Sequence, residues 1–207
     1  MKVSVILLIH DENIEHLKKC INSLIYQSYK NLEIVVVDDS NNLQNESLIN
    51  NLKHKILIKY IKLTKQISLP DARNLGIKNS SNDIIFLQDS DDWSNKDRIQ
   101  NQIHYLNNGI DICCGLTSYY TSNETLIFSA KQSQEIKRVN YKEILKNNHV
   151  AIGSVAFKKK IFINEDYLFR NEIKYCDDMD FVLRYSQKFN FSQINKLIYN
   201  YRFKKNS

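Results

Sequence analysis

Between Asp83 and Trp93 the chain reads Asp-Ile-Ile-Phe-Leu-Gln-Asp-Ser-Asp-Asp-Trp, an apolar run leading straight into three carboxylates packed within four positions. Such groups repel one another unless a cation or a set of donors compensates, and hard divalent ions such as Mg²⁺ or Mn²⁺ prefer oxygen ligands of this kind. The chemistry this suggests is a metal-diphosphate site on Asp89, Asp91 and Asp92. A plain structural reading stands beside it. Ser94 with Asp97 three residues on makes a capping box, and acidic residues favour a helix N-terminus. The stretch alone does not separate the two.

The elements that must carry these groups follow from the apolar pattern. Ile84 to Leu87 is a continuous run with β-branched and aromatic members, which predicts a strand buried on both faces of a sheet. Charges cannot follow into that core, so Asp89, Asp91 and Asp92 emerge at the strand's carboxyl end, where open α/β sheets hold ligands. Val3 to Ile9 predicts a first strand of the same type, followed by His10, Asp11 and Glu12. The spacing of Ile14, Leu17, Ile21, Leu24 and Ile25 then predicts an amphipathic helix. Leu32 to Val37 is a second strand ending in Asp38 and Asp39. Next come a short helix over Leu48 to Leu52, a strand over Ile56 to Ile61, and a helix over Pro70 to Lys78 with Pro in its first turn. That helix carries Arg73 and Asn74. Another helix runs from about Asn95 to Leu106. Strands alternating with helices put Asp11, Asp39, Asp89 and Asp91 on one rim of a parallel sheet, and convergence of several acidic strand ends favours a site over a cap.

The second half is less regular. Ile110 to Leu116, Thr125 to Phe128 and Val150 to Phe157 are strand-like, with Gly153 allowing close backbone approach. Tyr141 to Lys146 is a short helix. Met179, Val182, Leu183 and Ser186 suit a buried helical stripe, so Asp177 and Asp178 fall at a helix start, where the dipole stabilises a carboxylate. Leu197 to Phe203 is an alternating segment rich in Tyr. No repeat, linker or firm boundary interrupts this, and the expectation is a single α/β domain over residues 1–207.

A chain of 207 residues can bury a full two- or three-layer core, and 43% hydrophobic with 25% charged residues is an ordinary soluble composition. The net charge of +6 fits a polyanion, an anionic membrane face or a phosphate-bearing substrate. Its densest clusters are only Lys158 to Lys160 and Lys204 with Lys205, which argues against a nucleic-acid arm. Cys20, Cys113, Cys114 and Cys176 form no C-x-x-C pair and read as free thiols of a reducing compartment. The histidines lack the spacing of a zinc site. With no run of membrane-spanning length and no signal-peptide pattern, the expected location is cytoplasmic, with at most peripheral contact with an anionic membrane.

Four blocks in order resemble the family 2 inverting glycosyltransferases of the GT-A fold: Val3-Ser-Val-Ile6, Gln27-Ser-Tyr-Lys-Asn-Leu-Glu-Ile-Val-Val-Val-Asp-Asp39, Ala72-Arg-Asn-Leu-Gly-Ile77 and Asp83-Ile-Ile-Phe-Leu-Gln-Asp-Ser-Asp-Asp92. Weaker similarity continues in Asp177-Asp-Met-Asp-Phe-Val-Leu-Arg184 and Tyr199-Asn-Tyr-Arg202. The resemblance implies a GT-A (Rossmann-like), mostly parallel sheet flanked by helices. Residues 1–108 would form a nucleotide-sugar-binding half, and 109–207 a small mixed acceptor-side half. It implies a nucleotide-diphospho-sugar donor, most often a UDP-sugar, and a Mn²⁺ or Mg²⁺ cofactor. Asp39 would hold the base or ribose, and His10 would stack where the family has an aromatic residue. Glu12 and Ser90 would also line the donor site. Arg73 would meet the nucleotide or phosphates, Asp89 the ribose and metal, and Asp91 the metal, while Asp178 would be the general base. The family's usual Pro is Leu8 here, its Asn is Asp11, and its Glu-Asp pair is Asp177-Asp178. The Gln-x-x-Arg-Trp block and membrane helices of processive members are missing, which implies one sugar per event, to a saccharide or lipid-linked acceptor in cell-surface polysaccharide synthesis. Two rivals remain: a nucleotidyltransferase, which would free pyrophosphate, and a binding module without turnover.

Overall fold

The structure is a computed structural model that describes residues 1–132, 136–162, 168–173 and 175–203. Among the described residues ten strands join one sheet. In chain order the elements are β1 (Val3–Ile9), α1 (Ile14–Ile25), β2 (Leu32–Asp38), α2 (Leu43–Leu52), β3 (Leu57–Lys62), α3 (Leu69–Lys78), β4 (Ile84–Asp89) and β5 (Trp93–Ser94). They continue with α4 (Arg98–Asn107), β6 (Ile112–Tyr120), β7 (Leu126–Ser129), β8 (Lys137–Arg138), α5 (Tyr141–Lys146), β9 (Ala156–Lys158), α6 (Asp177–Lys188) and β10 (Phe191–Arg202). The main path across the sheet is β3-β2-β1-β4-β9-β6-β10-β5, with β7 on β6 and β8 on β10.

β1 to β4 are mutually parallel, and β9 enters antiparallel beside β4. The chain winds outward from β1 to β2 and β3, then returns to place β4 on the other side of β1. That reversal leaves a crevice at the carboxyl ends of β1 and β4, the switch point at which such sheets bind ligands.

Strand side chains alternate, so the sheet has two apolar faces. Val3, Val5, Leu7 and Ile9 pack with Leu17, Ile21 and Leu24 of α1, Ile49 of α2, and Ile99 and Ile103 of α4. On the other face Ile6, Val35, Ile85 and Leu87 pack with Ile77 of α3, Ile144 of α5 and Phe181, Val182 and Tyr185 of α6. Caps fix the helix starts that lead out of the rim. The Asn13 side chain accepts from the N–H of Glu15 at 2.8 Å, and Ser68 Oγ accepts from that of Asp71 at 3.2 Å. Gly76 lets α3 lie directly on β1, since a Cβ there would meet Ile6 Cγ2 at 2.4 Å.

Several expected boundaries shift. α2 begins at Leu43 because Asn42 caps it, not Leu48. The residues from Val150 to Phe157 are a 3₁₀ turn at Ile152–Ser154 followed by β9, instead of one strand. β6 extends to Tyr120 and β10 begins at Phe191, both longer than their apolar runs. The buried stripe of α6 is Phe181, Val182, Tyr185 and Ser186, while Met179 and Leu183 are half-buried. No helix among the described residues is long and apolar enough to cross a membrane.

Candidate active site

Around the crevice, β1 ends in His10 and Glu12, β2 in Asp38 and Asp39, and β4 in Asp89 to Asp92. All of these but Asp38 line a hollow of about 470 Å³, as do Ile67, Arg73 and Tyr201. The two β2 carboxylates divide in function. Asp38 is fully buried and consumed by structure: its Oδ1 accepts from Ser40 N at 2.9 Å and from Lys62 Nζ at 3.2 Å, and its Oδ2 from the Tyr60 hydroxyl at 2.6 Å. Asp39 faces the hollow. His10 Nδ1 lies 2.7 Å from its Oδ1, and the Ile67 N–H donates to its Oδ2 at 3.2 Å. A carboxylate only accepts, so Nδ1 of His10 is the protonated nitrogen.

The acidic turn after β4 is held mainly by β10. Arg202 is buried; its backbone N–H donates to Asp92 Oδ1 at 2.7 Å, its Nε to the Asp91 carbonyl at 2.9 Å, and its Nη2 to Glu124 at 3.0 Å. Two cations lie near the indole of Trp93, Lys19 Nζ at 3.6 Å and the Arg202 guanidinium at 5.0 Å from its centroid. Beneath the strand, fully buried Arg98 donates to Gln88 Oε1 at 2.9 Å, Ser94 Oγ at 3.0 Å and the Leu87 carbonyl at 2.8 Å. Burial pushes the Asp89 carboxyl up to about 6; the Arg73 charge opposes this, and the charges of Asp91 and Asp178 add to it. Burial also pushes Asp92 upward, again with Asp91 and Asp89 adding. Asp92 Oδ2 has no hydrogen-bond partner among the described residues. Desolvation thus disfavours the charged forms of both Asp89 and Asp92 at this turn.

A second hollow, of about 440 Å³, shares Arg73, Asp89 and Tyr201 with the first and brings in Asp177 and Asp178 from the start of α6. Arg73 joins the two. Its Nη1 donates to Asp177 Oδ2, its Nη2 lies 3.7 Å from Asp89 Oδ1, and its guanidinium sits 5.1 Å from the Phe169 centroid. Asp177 is thus spent on holding Arg73, while half-buried Asp178 lines the open space. The next carboxylate, Asp180, is tied to Arg184 at 2.9 Å and to Arg170.

His10, Glu12, Asp39, Arg73, Asp89, Ser90 and Asp91 all line the first hollow, and Asp178 lines the second. Ser90 Oγ donates to Glu12 across the mouth at 3.3 Å. Asp11 points out to solvent and does not line either hollow. The capping box at Ser94 and Asp97 does not form: α4 starts at Arg98, Asp97 makes no cap bond through its side chain among the described residues, and Ser94 Oγ donates instead to Gln88 at 2.7 Å. Three contributors had no role assigned from sequence. Arg202 and Tyr199 lie in the alternating terminal segment, and Gly153 carried only the signal of a close approach. A Cβ on Gly153 would lie 2.6 Å from Asp89 Oδ2 and 2.0 Å from the Tyr199 hydroxyl.

The model of the family described as Glycosyl transferase family 2 matches residues 4–165. Glycosyltransferase GlyA of Streptococcus pneumoniae is 35% identical over 129 residues, 60% of this chain and 18% of that protein. The Escherichia coli UDP-Glc:alpha-D-GlcNAc-diphosphoundecaprenol beta-1,3-glucosyltransferase WfaP is 29% identical over 139 residues, 67% of this chain and 54% of that one. The chain therefore spans about a fifth and about half of these two relatives. Crystallised S. aureus TarS in complex with UDP-GlcNAc superposes with a TM-score of 0.80 at 21% identity, over 99% of this chain and 59% of that one. The likeness establishes the architecture as the GT-A fold.

Proposed function

The chain belongs to glycosyl transferase family 2, and on that premise we propose that it is a metal-dependent inverting glycosyltransferase moving one sugar from a UDP-sugar to an acceptor hydroxyl. The observation that carries the reading is the pair of joined hollows, with Asp39, Asp89 and Asp91 around one, Asp178 in the other, and Arg73 between them.

Asp39 is preset to accept from a base or ribose, because His10 and the Ile67 N–H fix its orientation. Asp89 and Asp91 fit a divalent cation. Both carboxylates line the first hollow and offer hard oxygen donors. Mg²⁺-type ions take one or two carboxylates of this kind and complete their shell from substrate phosphates. Such an ion supplies Lewis-acid neutralisation of the departing diphosphate. Arg73, clamped by Asp177, adds a fixed positive charge on the same side. Asp178, across the joint, takes the proton from the attacking hydroxyl, and attack opposite the leaving group inverts the anomeric carbon. No protein nucleophile takes part. The lipid-linked acceptor named for WfaP supports an acceptor of that kind here, in cell-surface saccharide synthesis on the cytoplasmic side.

Incubation of the purified protein with UDP-sugars and Mn²⁺ should release UDP; release of pyrophosphate would instead mark nucleotidyl transfer. Asp91→Ala should abolish the Mn²⁺-dependent part of UDP affinity. Equal UDP affinity of the unmodified protein with and without Mn²⁺ would refute the metal assignment.

A further inference from the structure

Beyond the second hollow lies a third, of about 340 Å³, which shares Tyr119 and His149 with it and is bordered by none of the residues assigned above. Three aromatic rings stand in one rank along the track the hollows make, with Phe203 packed against two of them, Tyr119 at 5.7 Å and Tyr201 at 5.3 Å. Tyr201 of β10 is the register partner of Tyr119 of β6, and Tyr119 is that of Phe128 of β7. Side chains opposite one another in a ladder share a face, and the ring centroids follow at 5.7 Å and 6.2 Å. Tyr201 borders the first and second hollows, Tyr119 the second and third, and Phe128 the third.

The far end of the rank is not core. Phe128 is 57% exposed on a strand whose pairing, among the described residues, is with β6 alone. Lys137, Glu143 and Gln193 border the same hollow, so an aromatic floor is ringed by one cation, one anion and one amide. A hydrocarbon chain gains nothing from Lys137 and Glu143. A pyranose suits both parts, with its C–H face on a ring and its hydroxyl edge toward donors and acceptors. The ring-to-ring step is close to the width of one sugar residue.

We propose that this rank is an acceptor track. The terminal sugar lies over Tyr201 and Tyr119 with its hydroxyl toward Asp178, and the third hollow takes the next sugar of an oligosaccharide acceptor. The proposal rests on the glycosyltransferase reading and deepens it.

The test is an NMR titration of the protein, saturated with UDP and Mg²⁺, using methyl glycosides of glucose, galactose and N-acetylglucosamine, their disaccharides, and farnesyl phosphate. At least one disaccharide should bind about tenfold more tightly than its monosaccharide, a difference of one well-made ring contact with its hydrogen bonds. Tyr119→Ala should erase that preference, and so should Phe128→Ser, whose site is exposed enough to leave folding intact. Equal affinity for mono- and disaccharides, binding of no saccharide, or tighter binding of farnesyl phosphate than of any disaccharide would overturn the track. UDP affinity in the same samples keeps the two ideas apart. If UDP does not bind, the donor reading itself falls; if it binds without a disaccharide preference, only the track does.

Discussion

Replacing Gly153 by Ala adds one methyl group at the point where the Ile152–Ser154 turn touches Asp89 and Tyr199. The new carbon would lie 2.0 Å from the Tyr199 hydroxyl, 2.7 Å from Tyr199 Cζ and 2.6 Å from Asp89 Oδ2. Tyr199 cannot swing away: it is fully buried, and its hydroxyl accepts from the Asp89 N–H at 3.3 Å. The turn, the tyrosine and the carboxylate must therefore share the displacement. Overpacking of this kind costs about 1–3 kcal/mol, and at about 2–4 °C per kcal/mol for a chain of this size the melting temperature should fall by roughly 2–12 °C. The displaced Asp89 gives a second signature. With a proposed metal carboxylate moved off its position, Mn²⁺-dependent UDP affinity should drop. Gly109→Ala is the control: its φ of +94° strains any L side chain, yet nothing lies within 4 Å of the added carbon. It should lower the melting temperature and leave UDP affinity alone. Differential scanning fluorimetry and calorimetric titration read both. If Gly153→Ala melts with the unmodified protein and binds UDP equally well, the turn does not set the position of Asp89.

Asp178→Asn should keep donor binding and lower turnover by about 10²- to 10⁴-fold; near-normal turnover in a coupled UDP-release assay would move the base elsewhere. Arg73→Leu leaves Asp177 buried without its partner and should destabilise by about 3–5 kcal/mol in urea unfolding, whereas Arg73→Leu combined with Asp177→Leu should recover much of the loss. A smaller loss in the double variant than in the single one is the deciding comparison. Asp89 is raised to about 6, so its neutral form is the one the metal-free fold prefers. That contribution is complete below the unfolded carboxyl value and is lost as pH rises through about 6. Melting curves of the metal-free protein from pH 5 to 7.5 should fall relative to Asp89→Asn, and parallel curves would remove Asp89 as the cause. Because a cation competes with that proton, Mn²⁺-dependent UDP affinity should weaken as pH drops below about 6.

The parallel half of the sheet was legible because β1, β2 and β4 are buried on both faces, and burial of that kind writes itself as unbroken apolar runs ending in charge. The same logic puts Asp39, Asp89 and Asp91 at the rim, where they line the first hollow, but it also puts Asp11 there, which lines neither hollow. Asp39 is singled out over its neighbour Asp38, and the fold supplies the reason Asp38 is not available: Tyr60, Lys62 and Ser40 consume it. Ser94 and Asp97 match a capping box by spacing, yet Ser94 faces a buried arginine that no local pattern announces. The irregular half was harder for a related reason. Its segment from Val150 to Phe157 turns at Ile152–Ser154 to reach Asp89 and Tyr199, partners 64 and 46 residues away in the chain by their numbering. Long-range pairing decides that conformation, and neither propensity nor periodicity carries it.

Trp93 is the sole tryptophan of the chain. It follows Asp92 directly, and two cations lie near its indole. Its emission should therefore report on the charge state and position of the neighbouring turn without any added label. Titration with UDP or a divalent ion, followed at the wavelengths of that single fluorophore, would show in one cuvette whether occupancy at the sheet edge is felt by the residues that brace it.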